Sequence, residues 1–142
     1  MISISDEFKS LVFEELNEYK DFLTEKDGEL KLTIESPCKE LGILTVSVRE
    51  SEIILYIKNF HTHINSHSLK YEDVDSITLL AIDKIKKIIY GNFYFNETYS
   101  NSRLESPGAG PQRLSKEEKD LLVKIFGSGT YTKEWNWFGE IE

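Results

Sequence analysis

The spacing of apolar residues changes from a helical to a strand-like repeat within the first sixty positions, and this change restricts the fold more than any other feature. From Ser5 to Thr24, apolar side chains recur at steps of three and four residues, the spacing of one face of an α-helix. Ser5 is predicted to be the N-cap of this helix, and Asp27-Gly28 to be the turn that follows it. The apolar stripe consists of Phe8, Leu11, Val12, Leu16, Tyr19, Phe22 and Leu23.

Three runs typical of β-strands follow this turn, at Glu29–Glu35, Ile43–Arg49 and Glu52–Phe60. In the second run apolar and polar residues alternate, which predicts a strand with one buried side and one solvent-facing side. The third run is apolar on both sides for much of its length and predicts a central strand. Because turn residues separate the runs, we expect an antiparallel meander.

The second half of the chain adds a helix, a strand and a segment rich in Ser, Gly and Pro. After a polar connection at residues 61–72, apolar residues with helical spacing begin at Val74 and end near Gly91. Asn92–Tyr99 has the pattern of a fourth strand. Ser100–Arg113 is predicted to be a flexible loop within one domain, because the chain beyond it is too short for an ordinary independent domain.

The last segments predict a short helix and a closing strand. Ser115 and Glu118 have the spacing of a capping box, which opens a helix that runs through about Phe126. Tyr131–Phe138 alternates as a strand. Together these patterns predict a single α+β domain over residues 1–142: an antiparallel sheet of about five strands, with two long helices and one short helix packed mainly on one face.

The net charge of −8 limits the partners that the chain attracts. This charge opposes binding to nucleic acid, since no local basic patch offsets it. Residues 1–40 hold eleven acids against five lysines, and an acidic surface of this kind suits a basic protein partner. The single cysteine permits no disulfide within the chain, and no stretch is apolar enough for a membrane span, so a cytoplasmic location is expected.

His61 and His63, with His67 four residues later, form the one constellation with metal-binding spacing. If the strand before them continues, both side chains point to the same side, where two imidazoles can share a zinc or iron ion. The spacing specifies no third ligand, and Glu72 or Asp73 would complete the site only by assumption. Paired histidines at a strand end also form polar corners without metal. We therefore predict no cofactor and no complete catalytic site.

Acidic and aromatic side chains are the candidates for contact with another protein. Acids of the first helix are expected to attract lysines and arginines of a basic partner. The late aromatic cluster either packs in the core or forms a binding platform, because Trp and Tyr dominate interface hot spots. The predicted partner-binding residues are Glu14, Glu15, Glu18, His61, His63, Asp73, Trp135 and Trp137.

The segments Glu52–His63, EIILYIKNFHTH, and Lys133–Gly139, KEWNWFG, resemble the immunity proteins of bacterial polymorphic-toxin systems. In that family an apolar strand leads into an aromatic-His-x-His segment, and a helix and a late Trp-containing strand follow. The similarity covers roughly residues 43–91 and the last ten, so the first helix and Ser100–Arg113 lie outside it. The resemblance implies a stoichiometric, non-enzymatic inhibitor that binds a cognate toxin domain.

Two other functions stay open at this point. The histidine pair suits a metal-dependent enzyme that uses His61 and His63. The acidic surface suits a housekeeping interaction protein without a toxin partner equally well.

Overall fold

The computed structural model describes residues 3–65 and 74–141. Within these residues no helix is long and apolar enough to cross a lipid bilayer. The elements in chain order are α1 (Ile4–Glu15), a 3₁₀ helix (Asn17–Phe22), β1 (Leu23–Lys26), β2 (Glu29–Glu35), β3 (Ile43–Val48), β4 (Glu52–Ile57), β5 (Phe60–Asn65), α2 (Val74–Ile89), β6 (Tyr94–Ser100), β7 (Arg103–Gly110), α3 (Lys116–Phe126), β8 (Thr130–Asn136) and β9 (Gly139–Ile141).

The strands form two antiparallel sheets. The first sheet is a meander in the order β1-β2-β3-β4-β5, and the second sheet has the order β7-β6-β8-β9. The predicted α+β class and an antiparallel sheet of five strands are confirmed, but this sheet contains β1 and β5 in place of the predicted fourth and closing strands. The second sheet is a finding of the structure, because β8 pairs with β6 and does not close the first sheet.

The predicted helix from Ser5 to Thr24 is divided into three elements. Ser3 caps α1 in place of Ser5, and its hydroxyl accepts a hydrogen bond of 3.1 Å from the backbone amide of Asp6. Leu16 leaves the helical conformation with φ −130°, and its side chain is buried in the core. The chain continues as the 3₁₀ helix and β1, because β1 pairs with β2, an interaction that helical spacing does not reveal.

The main core lies between the first sheet and the two long helices. α1 and α2 cover the side of the sheet that carries Leu32, Val46 and Leu55, which are neighbours on adjacent strands and at most 1% exposed. Burial of a large aliphatic side chain contributes about 1.5–3 kcal/mol. Four aromatic residues of the second sheet and of the segments next to its strands extend the same core: Phe93, Phe95, Trp135 and Trp137.

The chain reverses between β4 and β5 at Lys58 and Asn59. β4 ends at Ile57 and β5 begins at Phe60, which the sequence pattern placed at the end of the preceding strand. Lys58 has φ 52°, the left-handed conformation found in tight hairpin turns. β5 thus takes up the first part of the predicted polar connection, and residues 66–72 of that connection lie outside the described residues.

The prediction of a flexible loop at Ser100–Arg113 is wrong, because most of this segment is β7. A two-residue turn at Asn101 and Ser102, with φ 50° and 69°, joins β7 to β6. Pro107 and Gly108 both lie in this outermost strand, and a Cβ at Gly108 would be 2.8 Å from the side-chain oxygen of its neighbour in β6. Ser, Gly and Pro favour turns in general, but an edge strand also accepts them.

α3 packs beside β8 of the second sheet, whereas α1 and α2 share one face of the first sheet as predicted. Its predicted capping box is confirmed. The amide of Glu118 donates to the Ser115 hydroxyl at 3.1 Å, and the amide of Ser115 donates to the Glu118 carboxylate at 3.0 Å. None of the α3 side chains is fully buried.

Two phenylalanines of α1 provide a test of this packing. Phe8 is 0% exposed and Phe13 is 53% exposed. We expect Phe8→Ala to lower the free energy of unfolding by about 3–5 kcal/mol, because it opens a cavity in the core. Phe13→Ala is the matched control and should change it by no more than about 0.5 kcal/mol. Chemical denaturation followed by circular dichroism measures both, and equal losses would contradict the placement of the helix.

Candidate functional site

The side of the first sheet opposite α1 and α2 carries many exposed side chains and is called the open face here. Side chains alternate between the two sides of a strand, so residues adjacent in sequence to the core residues point to this side. The open face includes Thr33 and Glu35 of β2, Ile43 and Thr45 of β3, Tyr56 of β4, and His61 and His63 of β5.

Three aromatic rings in contact are the most distinctive part of the open face. Tyr56 lies opposite His61 on the neighbouring strand, and their rings stack with centroids 6.0 Å apart. The rings of His61 and His63 meet edge to face at 5.5 Å. All three side chains are exposed. The prediction that the two histidines share one side of a strand is confirmed.

A carboxylate holds one of these histidines in place. Nδ1 of His63 lies 3.0 Å from Oε2 of Glu52, and the side-chain amide of Asn65 donates to the same oxygen at 3.2 Å. The hydrogen bond with the His63 ring and, to a smaller extent, that from Asn65 hold the pKa of the Glu52 carboxyl below its ordinary value. The edge of the open face is therefore a fixed polar network.

The predicted metal site gains no further ligand from the described residues. Among residues 3–65 and 74–141, no group of three or more His, Cys, Asp or Glu side chains is placed to hold a metal ion. Glu52 is the carboxylate beside the histidine pair, but it forms a hydrogen bond with the His63 ring. His67 lies outside the described residues, as do Glu72 and Asp73, the acids considered as a third ligand.

Two side chains in the middle of the open face are buried. Ile54 and Ser47 belong to this side of the sheet, yet they are only 1% and 2% exposed. The Ser47 hydroxyl donates to the Glu29 carboxylate, and this bond holds the pKa of Glu29 below its ordinary value. Nε of Arg49 lies 3.9 Å from the same carboxylate.

An apolar groove of about 370 Å³ lies at one end of the open face, between the 3₁₀ helix and the ends of β2 and β3. Two large apolar side chains, Phe22 and Ile43, are 52% and 54% exposed there. The residues that line this apolar groove are Tyr19, Phe22, Thr33, Ile34, Glu35 and Ile43.

A buried carboxylate joins the two sheets at the turn that follows β4. Glu97 of β6 is 2% exposed, and its carboxylate accepts hydrogen bonds from Tyr99 at 2.6 Å and from Asn59. Nζ of Lys58 lies 3.2 Å from the carboxylate and 4.9 Å from the centre of the Trp135 ring. The turn between β4 and β5 is thereby attached to the second sheet.

The protonation of this cluster follows from its contacts. Burial alone raises the pKa of the Glu97 carboxyl, but the hydrogen bonds from Tyr99, Asn59 and Lys58 outweigh burial and place the pKa below its ordinary value. The hydrogen bond between Tyr99 and Glu97, together with burial, raises the pKa of Tyr99 to about 12. The carboxylate is therefore ionised and the phenol neutral at neutral pH.

A second buried carboxylate attaches α3 to the second sheet. Glu134 of β8 is 3% exposed and lies 2.7 Å from Nζ of Lys119. Its carboxylate also accepts hydrogen bonds from the backbone amide of Leu114 at 3.2 Å and from Arg113 at 3.4 Å. Neither Glu97 nor Glu134 was identified from the sequence. Each is an acid on the buried side of a strand. Such an acid can be recognised from the sequence only after the buried side of the strand is known.

The prediction of Trp135 and Trp137 as partner-binding anchors is wrong for this structure. They are 1% and 4% exposed and belong to the core. The sequence pattern places Trp135 on the same side of β8 as Tyr131, which is 46% exposed and stacks on Tyr99 at 5.2 Å. One side of β8 is thus buried at one end and exposed at the other, which alternation alone does not predict.

The predicted acids lie apart from the histidines. Glu14 and Glu15 are at the end of α1, on the helix-covered side of the first sheet, and Glu15 forms an ion pair with Lys86 of α2. Glu18 is exposed on the 3₁₀ helix. Asp73 lies outside the described residues. One flat interface therefore does not include all of the predicted residues.

Comparisons with protein-family models, with curated proteins and with solved structures found no match for this chain.

The Glu97 cluster predicts a pH-dependent contribution to stability. A carboxyl whose pKa is lowered on folding stabilises the folded state above its ordinary pKa of 4.5, and this stabilisation is lost as the pH falls through the lowered value. We expect Glu97→Gln to lower the free energy of unfolding at neutral pH by about 1.5–3 kcal/mol. The difference from the unmodified protein should shrink below pH 4.5. Chemical denaturation over a pH series measures it.

The exposed Glu50 provides the control for this experiment, and Glu50→Gln should leave the stability profile nearly unchanged. In Glu97→Gln the pKa of Tyr99 should also fall from about 12 towards 10.0, as followed by ultraviolet titration. A Glu97→Gln variant with unchanged stability and an unchanged Tyr99 titration would contradict the cluster.

The network at the edge of the open face gives a second titration test. Removal of the ring in His63→Ala should raise the pKa of Glu52 towards its ordinary value of 4.5, because the largest cause of the lowered pKa is lost. Nuclear magnetic resonance of the Glu52 side chain measures this. His61→Ala keeps the contact between His63 and Glu52 and is the control. A larger shift in the control than in His63→Ala would be inconsistent with the observed pairing.

Proposed function

We propose that this protein is a stoichiometric protein-binding inhibitor, an immunity protein that neutralises a bacterial toxin, and that it binds its partner through the open face. The observation that carries the proposal is the asymmetry of the first sheet. Helices cover one side, whereas the other side exposes three preformed rings between polar networks.

The chemistry of the open face supports protein binding. Tyr56 is 38% exposed and already stacked on His61, so little side-chain freedom remains to be lost on association. Aromatic side chains that are surrounded by polar groups are typical of interface hot spots. The network of Glu52, His63 and Asn65 supplies a polar rim beside these rings.

The charge supports a basic partner. The net charge is −8, and the exposed Glu14 and Glu18 belong to the most acidic part of the sequence. Because Glu14 lies at the end of α1, away from the histidines, we assign to it the long-range attraction of a basic domain and not direct contact with it. An acidic inhibitor of this kind is suited to masking the basic active site of a toxin. The assignment to immunity proteins in particular rests on the resemblance of Glu52–His63 and Lys133–Gly139.

A metal-dependent enzyme is the second candidate, and the observation that favours it is the 5.5 Å between the rings of His61 and His63 on one exposed side. Metal analysis of the purified protein separates the two functions. Stoichiometric zinc or iron that is lost in His61→Ala, together with turnover of a substrate, would replace the inhibitor proposal.

The inhibitor proposal predicts which surface controls binding. The partner is first identified by affinity capture and cross-linking in an extract of the native host. Titration calorimetry with the purified partner should then give a 1:1 complex. The double variant Tyr56→Ser/His61→Ser should weaken this complex by about thirtyfold or more, because hot-spot residues contribute about 2 kcal/mol or more.

Leu79→Ser is the matched control, since Leu79 is 55% exposed on α2, on the opposite side of the first sheet. Loss of binding in the control with full binding in the double variant would place the interface on the helices. A captured partner whose toxicity or enzymatic activity is unaffected by the complex would favour a housekeeping interaction protein instead.

A further inference from the structure

The apolar groove between the 3₁₀ helix and the ends of β2 and β3 contains two large apolar side chains that are exposed. Phe22 and Ile43 are each more than half exposed, and the volume of about 370 Å³ lies at the lower end of the range for ligand pockets. The groove is continuous with the open face, because Thr33, Glu35 and Ile43 belong to both.

The geometry of the 3₁₀ helix sorts its side chains into three rows. With three residues per turn, side chains three positions apart lie above one another. Tyr19 and Phe22 form the row that lines the apolar groove. Glu18 and Asp21 form the next row, and both are exposed. Lys20 lies in the third row and lines a separate hollow.

Carboxylates therefore lie beside the apolar groove. Glu35 lines it, and Glu18 and Asp21 flank it on the 3₁₀ helix. Of the nearby basic side chains, Lys20 lines the separate hollow, and Lys9 lies there in an ion pair with Glu25 at 2.8 Å. The apolar groove thus offers an apolar surface within a negative potential.

We infer that this groove receives an apolar side chain from a basic segment of the partner, in which lysines or arginines flank a residue such as leucine. The apolar side chain covers Phe22 and Ile43, and the flanking cations pair with Glu35, Glu18 and Asp21. This inference rests on the proposed function and adds the chemical class of the segment that is bound.

A set of three synthetic peptides tests the inference. The first has a central leucine between lysines, the second replaces the leucine with serine, and the third replaces the lysines with glutamates. In titrations followed by the backbone amide resonances of the protein, the first peptide should shift Phe22, Thr33 and Ile43 in a saturable manner. The second and third should bind about fivefold more weakly or not at all, because each removes one part of the recognition.

Variants of the protein complete the test. Ile43→Ser and Glu35→Gln should each weaken binding of the first peptide severalfold, and both residues are exposed, so folding should be retained. Phe13→Ser is the matched control, because Phe13 is 53% exposed in the separate hollow that Lys20 lines. Equal binding of the lysine and glutamate peptides, or shifts centred on Phe13, would overturn the inference.

The outcome is distinguishable from that of the proposed function. If the captured partner depends on Tyr56 and His61 but binds Ile43→Ser and Glu35→Gln with full affinity, the inference fails and the inhibitor proposal stands. If the lysine peptide binds in the groove and no stoichiometric protein partner is found, the groove chemistry is supported and the inhibitor proposal fails.

Discussion

The ionised carboxylate of Glu97 is the constraint on which the relation between the two sheets depends. A charge that is 2% exposed needs a complete set of donors, and here Tyr99, Asn59 and Lys58 supply them. Two of these donors form the turn between β4 and β5, so the position of that hairpin is fixed by a residue in the other sheet. Tyr56 and His61 flank the turn in sequence, and their place on the open face follows from the same anchor. One buried charge of the second sheet thus helps to position the candidate site on the first sheet.

Local patterns in the sequence predicted the elements whose partners are close in sequence or whose ends have characteristic residues. β2, β3, α2 and the capping box of α3 appear where the pattern placed them. The elements that the pattern missed depend on distant pairing. β1 has helical spacing but becomes a strand because β2 lies beside it, and β7 has the composition of a loop but pairs along β6. The turns at Lys58 and at Asn101-Ser102 adopt left-handed conformations without glycine, so the strongest turn signal is missing from the sequence.

The candidate site was predicted only in part, for a related reason. Strand periodicity gives the side to which His61 and His63 point, and that side is as predicted. It does not reveal what covers a side, which is why Trp135 and Trp137, reasonable interface anchors by residue type, lie in the core. Nor does it reveal the apolar groove, because Phe22 and Ile43 are separated by two strands in sequence and meet only when the 3₁₀ helix runs beside β2. Composition predicted the acidic character of the surface but not its distribution around the groove.

The position of Pro107 in β7 has a consequence for the behaviour of this molecule in concentrated solution. β7 forms one border of the second sheet, and a border strand is a template on which another chain can extend the sheet. Proline has no amide hydrogen to offer such an incoming chain, and the glycines that follow it lack the side chains that would stabilise the added layer. The residues that resemble a loop in the sequence therefore protect the border of the sheet against aggregation.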